Sequence, residues 1–471
     1  MASSSPTVML IPFCVPGHLT SMVEAGRRLL GSASVNMSLT MLLTPMKMGE
    51  IADLTRREAE SSLDIRFHHL PAAELPDDWR GGEDFMTRFM QLHAPQVREA
   101  ISGLATPVAA VVVDYFGTTL FDVTRELELP VYVYFTSAAS MLALMLRLPA
   151  LDGEVAGDLE EMDAAVDVPG MPPVPAAVMP TPLLRKDPNY AWLVYHGDRF
   201  MEAAGIIVNT VAELEAPVLE AIAEGRCVLG RRAPAIYPIG PVLSFKPPGT
   251  QRHECVRWLD EQPPASVVLL CFGSMGGSFP EPQVQEIAGG LERSGHRFLW
   301  VLRGPPPAGS PYPTDAEIDQ LLPEGFLERT RERGLVWPWW APQKEILEHP
   351  AVGGFVTHCG WNSTLESLWH GVPLVPWPLY AEQHLNAFQL VSMMGVAVAM
   401  AVDRKRDNFV AAAELERAVK ALMDGGEEGR KVREKATEAK AACRKAVEEG
   451  GSSYASLQKL ARELSQDQGA M

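Results

Sequence analysis

Short runs of β-branched and aromatic residues alternate with amphipathic stretches through both halves of this 471-residue chain. That rhythm points to an α/β protein, with parallel sheets covered by helices. In the first half the strands read Thr7 to Phe13, Ser38 to Leu43, Ala109 to Asp114, Val131 to Phe135 and Ile206 to Asn209, with a helix from Thr20 to Leu30. The second half restarts with strands Val267 to Phe272, Phe298 to Leu302, Gly354 to Thr357 and Leu374 to Pro376, and a helix over Pro282 to Ser294. Two α/β sheets in series follow.

Between the halves, YPIGPVLSFKPPG at 237–249 holds four prolines, which stop regular structure and suit a linker. The expected division is a first domain over 1–240, a linker over 241–251, a second domain over 252–450 and a final helix within 451–471. Two Pro-rich stretches, Val168 to Pro182 and Gly304 to Pro313, read as surface loops, and charged helices are expected over Ala411 to Met423, Glu427 to Glu449 and Tyr454 to Leu464. Lys plus Arg number 41 against 59 for Asp plus Glu, a net charge of −18. Such a surface repels nucleic acid and anionic lipid. The six cysteines show no zinc-like spacing and read as reduced thiols. Residues Met1 to Pro6 lack the charged start of a signal peptide, and the apolar run Tyr132 to Leu146 is shorter than the ~18–20 residues a membrane span needs. A cytoplasmic monomer is expected, with no integral membrane association.

The densest chemistry lies between Trp340 and Gln383. A strand ends at His358, Cys359-Gly360-Trp361 turns, and Asn362 or Ser363 opens a helix from Thr364 to His370. A helix start offers backbone N–H groups and partial positive charge, so this corner can hold a diphosphate without a lysine. His358, Asn362 and Ser363 would add side-chain donors. Ser363 with Glu366 equally matches a capping box, and Trp340, in the cluster WPWW, equally suits packing. The pair Glu382-Gln383 offers acceptors and donors together, as a polyol requires, although a polar helix start has the same composition.

In the first half, the opening strand runs into Cys14-Val-Pro-Gly-His18, placing His18 in a loop just past the strand's C-terminal end. Asp114 ends a second buried run, AAVVVD, on the same edge, where open α/β sheets bind ligands. An imidazole backed by a carboxylate can take a proton from a hydroxyl, though singly each residue also suits an ordinary structural role.

These residues carry a resemblance. The block from Trp340 to Gln383, 44 residues long, resembles the signature box of the plant UDP-sugar-dependent glycosyltransferases, and the Pro-Gly-His at 16–18, YPIGP at 237–241 and FGSMG at 272–276 stand where that family has theirs. The resemblance implies two Rossmann-like domains facing across a cleft, the GT-B type. It implies that Trp340 stacks on the uracil, Gln343 lies beside the ribose and base, Glu366 accepts from the ribose hydroxyls, and Ala341 belongs to the same UDP-sugar site. His358, Gly360, Asn362, Ser363 and Ser274 would hold the diphosphate. Trp361, Glu382, Gln383 and Thr136 would contact the sugar, with Gln383 pointing to UDP-glucose. His18 would be the general base and Asp114 its partner, in a direct displacement that inverts the anomeric carbon. No Asp-x-Asp occurs, so no metal is expected, and no cofactor beyond the sugar donor.

The implied acceptor is a flavonoid or other phenolic, in a pocket drawn from Phe85, Phe89, Phe116, Met141 and Met179. A terpenoid or hormone acceptor is the alternative. A nicotinamide oxidoreductase would need GxGxxG where the chain reads CVPGHLTS, and a non-catalytic binder would dispense with His18 or Asp114.

Overall fold

The computed structural model describes residues 6–31, 37–45, 65–75, 77–244, 253–308, 310 and 312–465. Most of the expected linker (245–251), the first five residues and residues 466–471 lie outside the described residues. The chain divides into two units, Met1–Ser244 with Lys445–Met471, and Phe245–Arg444.

Among the described residues of the first unit seven strands, β1 (Thr7–Ile11), β2 (Ser38–Leu43), β3 (Ile65–His69), β4 (Val108–Asp114), β5 (Val131–Phe135), β6 (Gly205–Val208) and β7 (Ala235–Pro238), pair in the order β3-β2-β1-β4-β5-β6-β7. Every pairing is parallel. β1, β2, β5 and β6 are buried along their whole length, as apolar runs must be when helices cover both faces of a sheet. Helices α1 (Pro16–Leu30), α2 (Gly82–Leu92), α3 (Ala139–Glu154) and α4 (Pro188–Arg199) belong to this unit. The apolar run Tyr132 to Leu146 is therefore β5 followed by the buried start of α3, and among the described residues no helix is long and apolar enough to cross a membrane.

The second unit holds β8 (Val267–Cys271), β9 (Arg297–Val301), β10 (Gly334–Trp337), β11 (Val352–Thr357) and β12 (Leu374–Pro376), all parallel, in the order β10-β9-β8-β11-β12. Its helices include α5 (Glu281–Ser294), α6 (Gln343–Glu348), α7 (Trp361–His370), α8 (Gln383–Ser392) and α9 (Ala412–Met423). Val268, Leu270, Phe298, Trp300, Val356 and Trp377 form its core with α5 and α9.

The last helix, α10 (Ser452–Ser465), sends Leu457, Leu460, Ala461 and Leu464 into the core of the first unit, at the spacing of one helix face. Glu463 bonds the hydroxyl of Tyr237 on β7, and Ser453 Oγ donates to the Gly240 carbonyl at 2.5 Å.

The expectation for one Pro-rich stretch changes. The stretch Val168 to Pro182 is not simply a surface loop: Val168, Val174 and Met179 are fully buried, while Val166 and Val174 pair in a short antiparallel ladder. Proline there limits the backbone, and the apolar side chains between the prolines still find the core.

Both sheets reverse direction once. In the first unit the chain builds outward from β1 to β3, then returns to place β4 on the other side of β1; in the second, β8 to β10 grow one way and β11 lands on the other side of β8. Crevices at such switch points, beyond the strands' C-terminal ends, are where open α/β sheets bind ligands.

Candidate functional site

At the first switch point β1 lies beside β4, with Ile11 paired to Val113. Helix α1 starts at Pro16, not at Thr20, so His18 stands in the first helical turn instead of a loop. Proline at that position is pre-shaped for a helix start. The Nδ1 of His18 lies 2.7 Å from Oδ2 of Asp114, whose side chain is fully buried while that of His18 is 19% exposed. The other carboxylate oxygen, Oδ1, accepts the Phe116 N–H at 3.1 Å and so caps the turn Tyr115–Leu120. Both readings of Asp114 hold together: it caps the turn after its strand and it orients an imidazole. A proton on Nδ1, donated to the carboxylate, leaves Nε2 as the basic nitrogen of the ring.

An aromatic run leads away from His18. The Phe116 ring stacks on it with centroids 5.7 Å apart, and Phe13 meets it edge-on at 6.1 Å. Phe13 touches Phe89 and Phe116, Phe89 touches Phe85, and Phe85 touches the exposed Trp79. Leu75, Trp79, Phe85, Arg88, Phe89 and Leu92 gather around its outer end. Of the acceptor candidates, Phe85, Phe89 and Phe116 are thus joined to His18; Phe89, Phe116, Met141 and Met179 are all buried, and Phe85 is half-buried. Phe13 was not singled out in the sequence, because a phenylalanine closing an apolar strand looks like core. Thr136 lies buried immediately after β5.

At the second switch point β8 runs into Phe272-Gly273-Ser274 and β11 into His358-Cys359-Gly360, with Cys271 paired to Thr357. The corner is tight. Cys359 adopts a left-handed backbone with φ 63°, and the amide of Asn386 on α8 holds its carbonyl at 3.0 Å. Non-glycine residues in that region concentrate at functional sites. Helix α7 starts at Trp361 behind Gly360, with no side-chain cap. Ser363 is therefore inside the first turn and is not a capping residue. Its Oγ instead accepts from Nε2 of Gln343 at 2.9 Å, and the same nitrogen donates to Oε2 of Glu366 at 2.7 Å.

Glu366 is buried, and burial raises its carboxyl pKa against the pull of Lys344, 3.9 Å away, and of Gln343. Burial also pushes His358 down to about 4, so its ring is neutral near pH 7, and among the described residues its buried Nδ1 has no hydrogen-bond partner. The imidazole is gripped by backbone: a Cβ on Gly273 would lie 2.6 Å from its Nε2, and one on Gly360 2.5 Å.

Ser274 and Trp340 are exposed, the latter 56%, so Trp340 is not part of the buried core. Ala341, Trp361 and Gln383 are buried, Glu382 precedes α8, and the Oε1 of Gln383 accepts the N–H groups of Leu379 and Tyr380 at 2.9 and 3.0 Å. All six cysteines are buried free thiols, and among the described residues no three His, Cys, Asp or Glu side chains cluster as metal ligands.

The sequence family described as UDP-glucoronosyl and UDP-glucosyl transferase matches residues 248–431. A malvidin galactosylase of Oryza sativa subsp. japonica is 58% identical over 98% of this chain and 98% of its own length. An anthocyanidin 5,3-O-glucosyltransferase of a Rosa hybrid cultivar is 39% identical over 97% of this chain and 98% of its own. Among solved structures, Phytolacca americana UGT2 complexed with UDP-2-fluoro-glucose and pterostilbene superposes with a TM-score of 0.87, at 35% identity, over 98% of this chain and 100% of that one. A UDP-glucosyltransferase from Polygonum tinctorium capable of glucosylating indoxyl gives 0.88, at 36% identity, over 99% and 100%. With relatives this similar over nearly the full length, and two Rossmann-like units built on parallel sheets, the chain belongs to the plant UDP-glycosyltransferases of the GT-B fold.

Proposed function

We propose that the protein transfers glucose from UDP-glucose to a hydroxyl of a flavonoid or related phenolic, with inversion and without a metal ion. The acceptor hydroxyl gives its proton to Nε2 of His18, the oxygen attacks the anomeric carbon, and the bond from that carbon to the β-phosphate oxygen breaks to release UDP. Asp114 holds the ring in the required tautomer and stabilises the imidazolium that forms. Because UDP is a good leaving group, the donor side has only to stabilise developing diphosphate charge, which the start of α7, His358 and Ser363 can do by hydrogen bonding.

The observation that carries this reading is the 2.7 Å contact between a part-exposed His18 and a fully buried Asp114 at a sheet switch point. The aromatic run from Phe116 to Phe85 supports a flat, apolar acceptor. Relatives named for malvidin and for anthocyanidin support the flavonoid class. Gln383 supports glucose, and the Oryza relative makes UDP-galactose the donor to set against it.

The test is UDP release, with either donor, with and without an anthocyanidin or flavonol, in buffer containing EDTA. Acceptor-dependent release favouring UDP-glucose is expected from the wild type and not from His18→Ala. Equal turnover by His18→Ala removes the mechanism, and a preference for UDP-galactose removes the donor assignment.

A further inference from the structure

In the second unit one asparagine, far from any motif in the sequence, ties together the segment that carries Gln383. Asn408 is 8% exposed and, like Asp407 before it, has a left-handed backbone, with φ 59° and 55°. Its Nδ2 donates to the Leu379 carbonyl at 2.9 Å, its Oδ1 faces Nε2 of His384 at 2.9 Å, and its own carbonyl accepts the Trp377 indole N–H at 2.9 Å. The amide orientation is decided by its partners. A carbonyl only accepts, so the amide nitrogen faces Leu379, and the His384 nitrogen opposite the amide oxygen carries a proton. Burial pushes His384 down to about 4, so near neutral pH it is an uncharged ring protonated on Nε2.

Leu379 transmits this restraint. While its carbonyl is held by Asn408, its N–H donates to Oε1 of Gln383 at 2.9 Å, and the Tyr380 N–H donates to the same oxygen at 3.0 Å. The turn closes through Ala381, left-handed at φ 51°, and through the Gln383 N–H on the Tyr380 carbonyl at 3.2 Å. With its oxygen taken by two backbone donors, the Gln383 amide has one orientation, and the loop 379–382 sets where it sits.

We infer that Asn408 is a positioning residue for the donor sugar: acting through Leu379 on Gln383, it sets how sharply the protein separates hexoses that differ in one hydroxyl. This rests on the proposed reading in which Glu382 and Gln383 face the hexose of the donor. A fixed polar group rejects a misplaced hydroxyl because one partner is then left unpaired, and discrimination falls when that group can shift to follow the ligand.

The experiment compares wild type with Asn408→Gly, which keeps the left-handed backbone without strain, and Asn408→Ala. UDP affinity is measured by calorimetry, and kcat/KM is measured with UDP-glucose and UDP-galactose. The expected result is UDP affinity within about twofold of wild type, with the glucose-to-galactose ratio of kcat/KM moved towards one by about 3- to 10-fold in both variants. An unchanged ratio overturns the inference. So does a parallel fall in UDP affinity and in kcat/KM for both donors, the mark of a merely structural residue. A wild type that binds UDP but turns over neither hexose refutes the donor reading and this inference with it, and that result is visible before any substitution is made.

Discussion

The Nδ1 of His18 and the Oδ2 of Asp114, 96 positions apart in sequence, meet at 2.7 Å because β1 and β4 are neighbours at the point where the first sheet reverses direction. The same carboxylate holds the Phe116 N–H with its second oxygen, so the imidazole, the turn and the ring stacked on that imidazole form one unit.

Asp114→Asn removes the charge and keeps the shape. Acceptor-dependent turnover should fall, as it should in His18→Ala, by about 10²–10⁴-fold, the range typical of a positioned general base. UDP affinity should stay at its wild-type value, since both residues belong to the first unit. Stopped-assay kinetics paired with UDP calorimetry checks both parts, and a matched loss of UDP binding would contradict the division of labour.

Trp340→Ala should weaken UDP binding by about 0.5–1.5 kcal/mol, the worth of an aromatic stack, while unfolding stability changes by no more than about 0.5 kcal/mol. The side chain is 56% exposed and carries little of the core. Calorimetry and urea titration of the same preparation separate the two quantities. Strong destabilisation would return Trp340 to a packing role.

Gly273→Ala and Gly360→Ala should each lower UDP affinity by about tenfold or more, because the added methyl would sit 2.6 or 2.5 Å from His358 Nε2 and displace the ring. Gly273 also has φ +79°, which disfavours any side chain. Combining Gly273→Ala with His358→Ala should recover part of the steric loss. A strictly additive double variant would show that the ring is not what the methyl meets.

Four histidines are held below their ordinary value of 6.5 by burial: His196 to about 3, and His358, His370 and His384 to about 4. A depressed pKa means that the unfolded chain binds protons first. The stability these rings contribute is therefore intact above about pH 6.5 and is lost progressively as pH falls towards 4. Each ring adds at most about 1.4 kcal/mol per pH unit to that slope. Melting temperature should drop steadily from pH 7 to 5, and His196→Asn should flatten the curve. A melting temperature independent of pH over that interval would contradict the assignment.

Much of this was legible in the residues. Val131–Phe135 and Leu374–Pro376 begin and end where the apolar runs do, and β4, β8, β9 and β11 differ from their expected bounds only at the ends. The strands left unread have physical reasons for silence. In β3, IRFHH, only Ile65 is buried, since it is an edge strand with one neighbour. β7, the other edge, runs into the Pro-rich stretch read as linker, and β10 is an edge strand of the second sheet whose first two residues are only half-buried. The starts of α1 and α7 were placed too late because glycine and proline there serve as helix entry, not as loop.

Local order and motif chemistry were in the sequence itself: which runs are buried strands, which corners open helices, and that His18, Asp114 and the residues from Trp340 to Gln383 are of the types that donor and acceptor chemistry needs. Strand order, and with it which corners become neighbours, was not, because a fully buried apolar run pairs equally well on either side. Tertiary structure alone brought Asp114 under His18, put Gln343 between Ser363 and Glu366, and set Asn408 behind Leu379. Each of these contacts joins residues 20 or more positions apart, through hydrogen bonds whose partners no local pattern specifies.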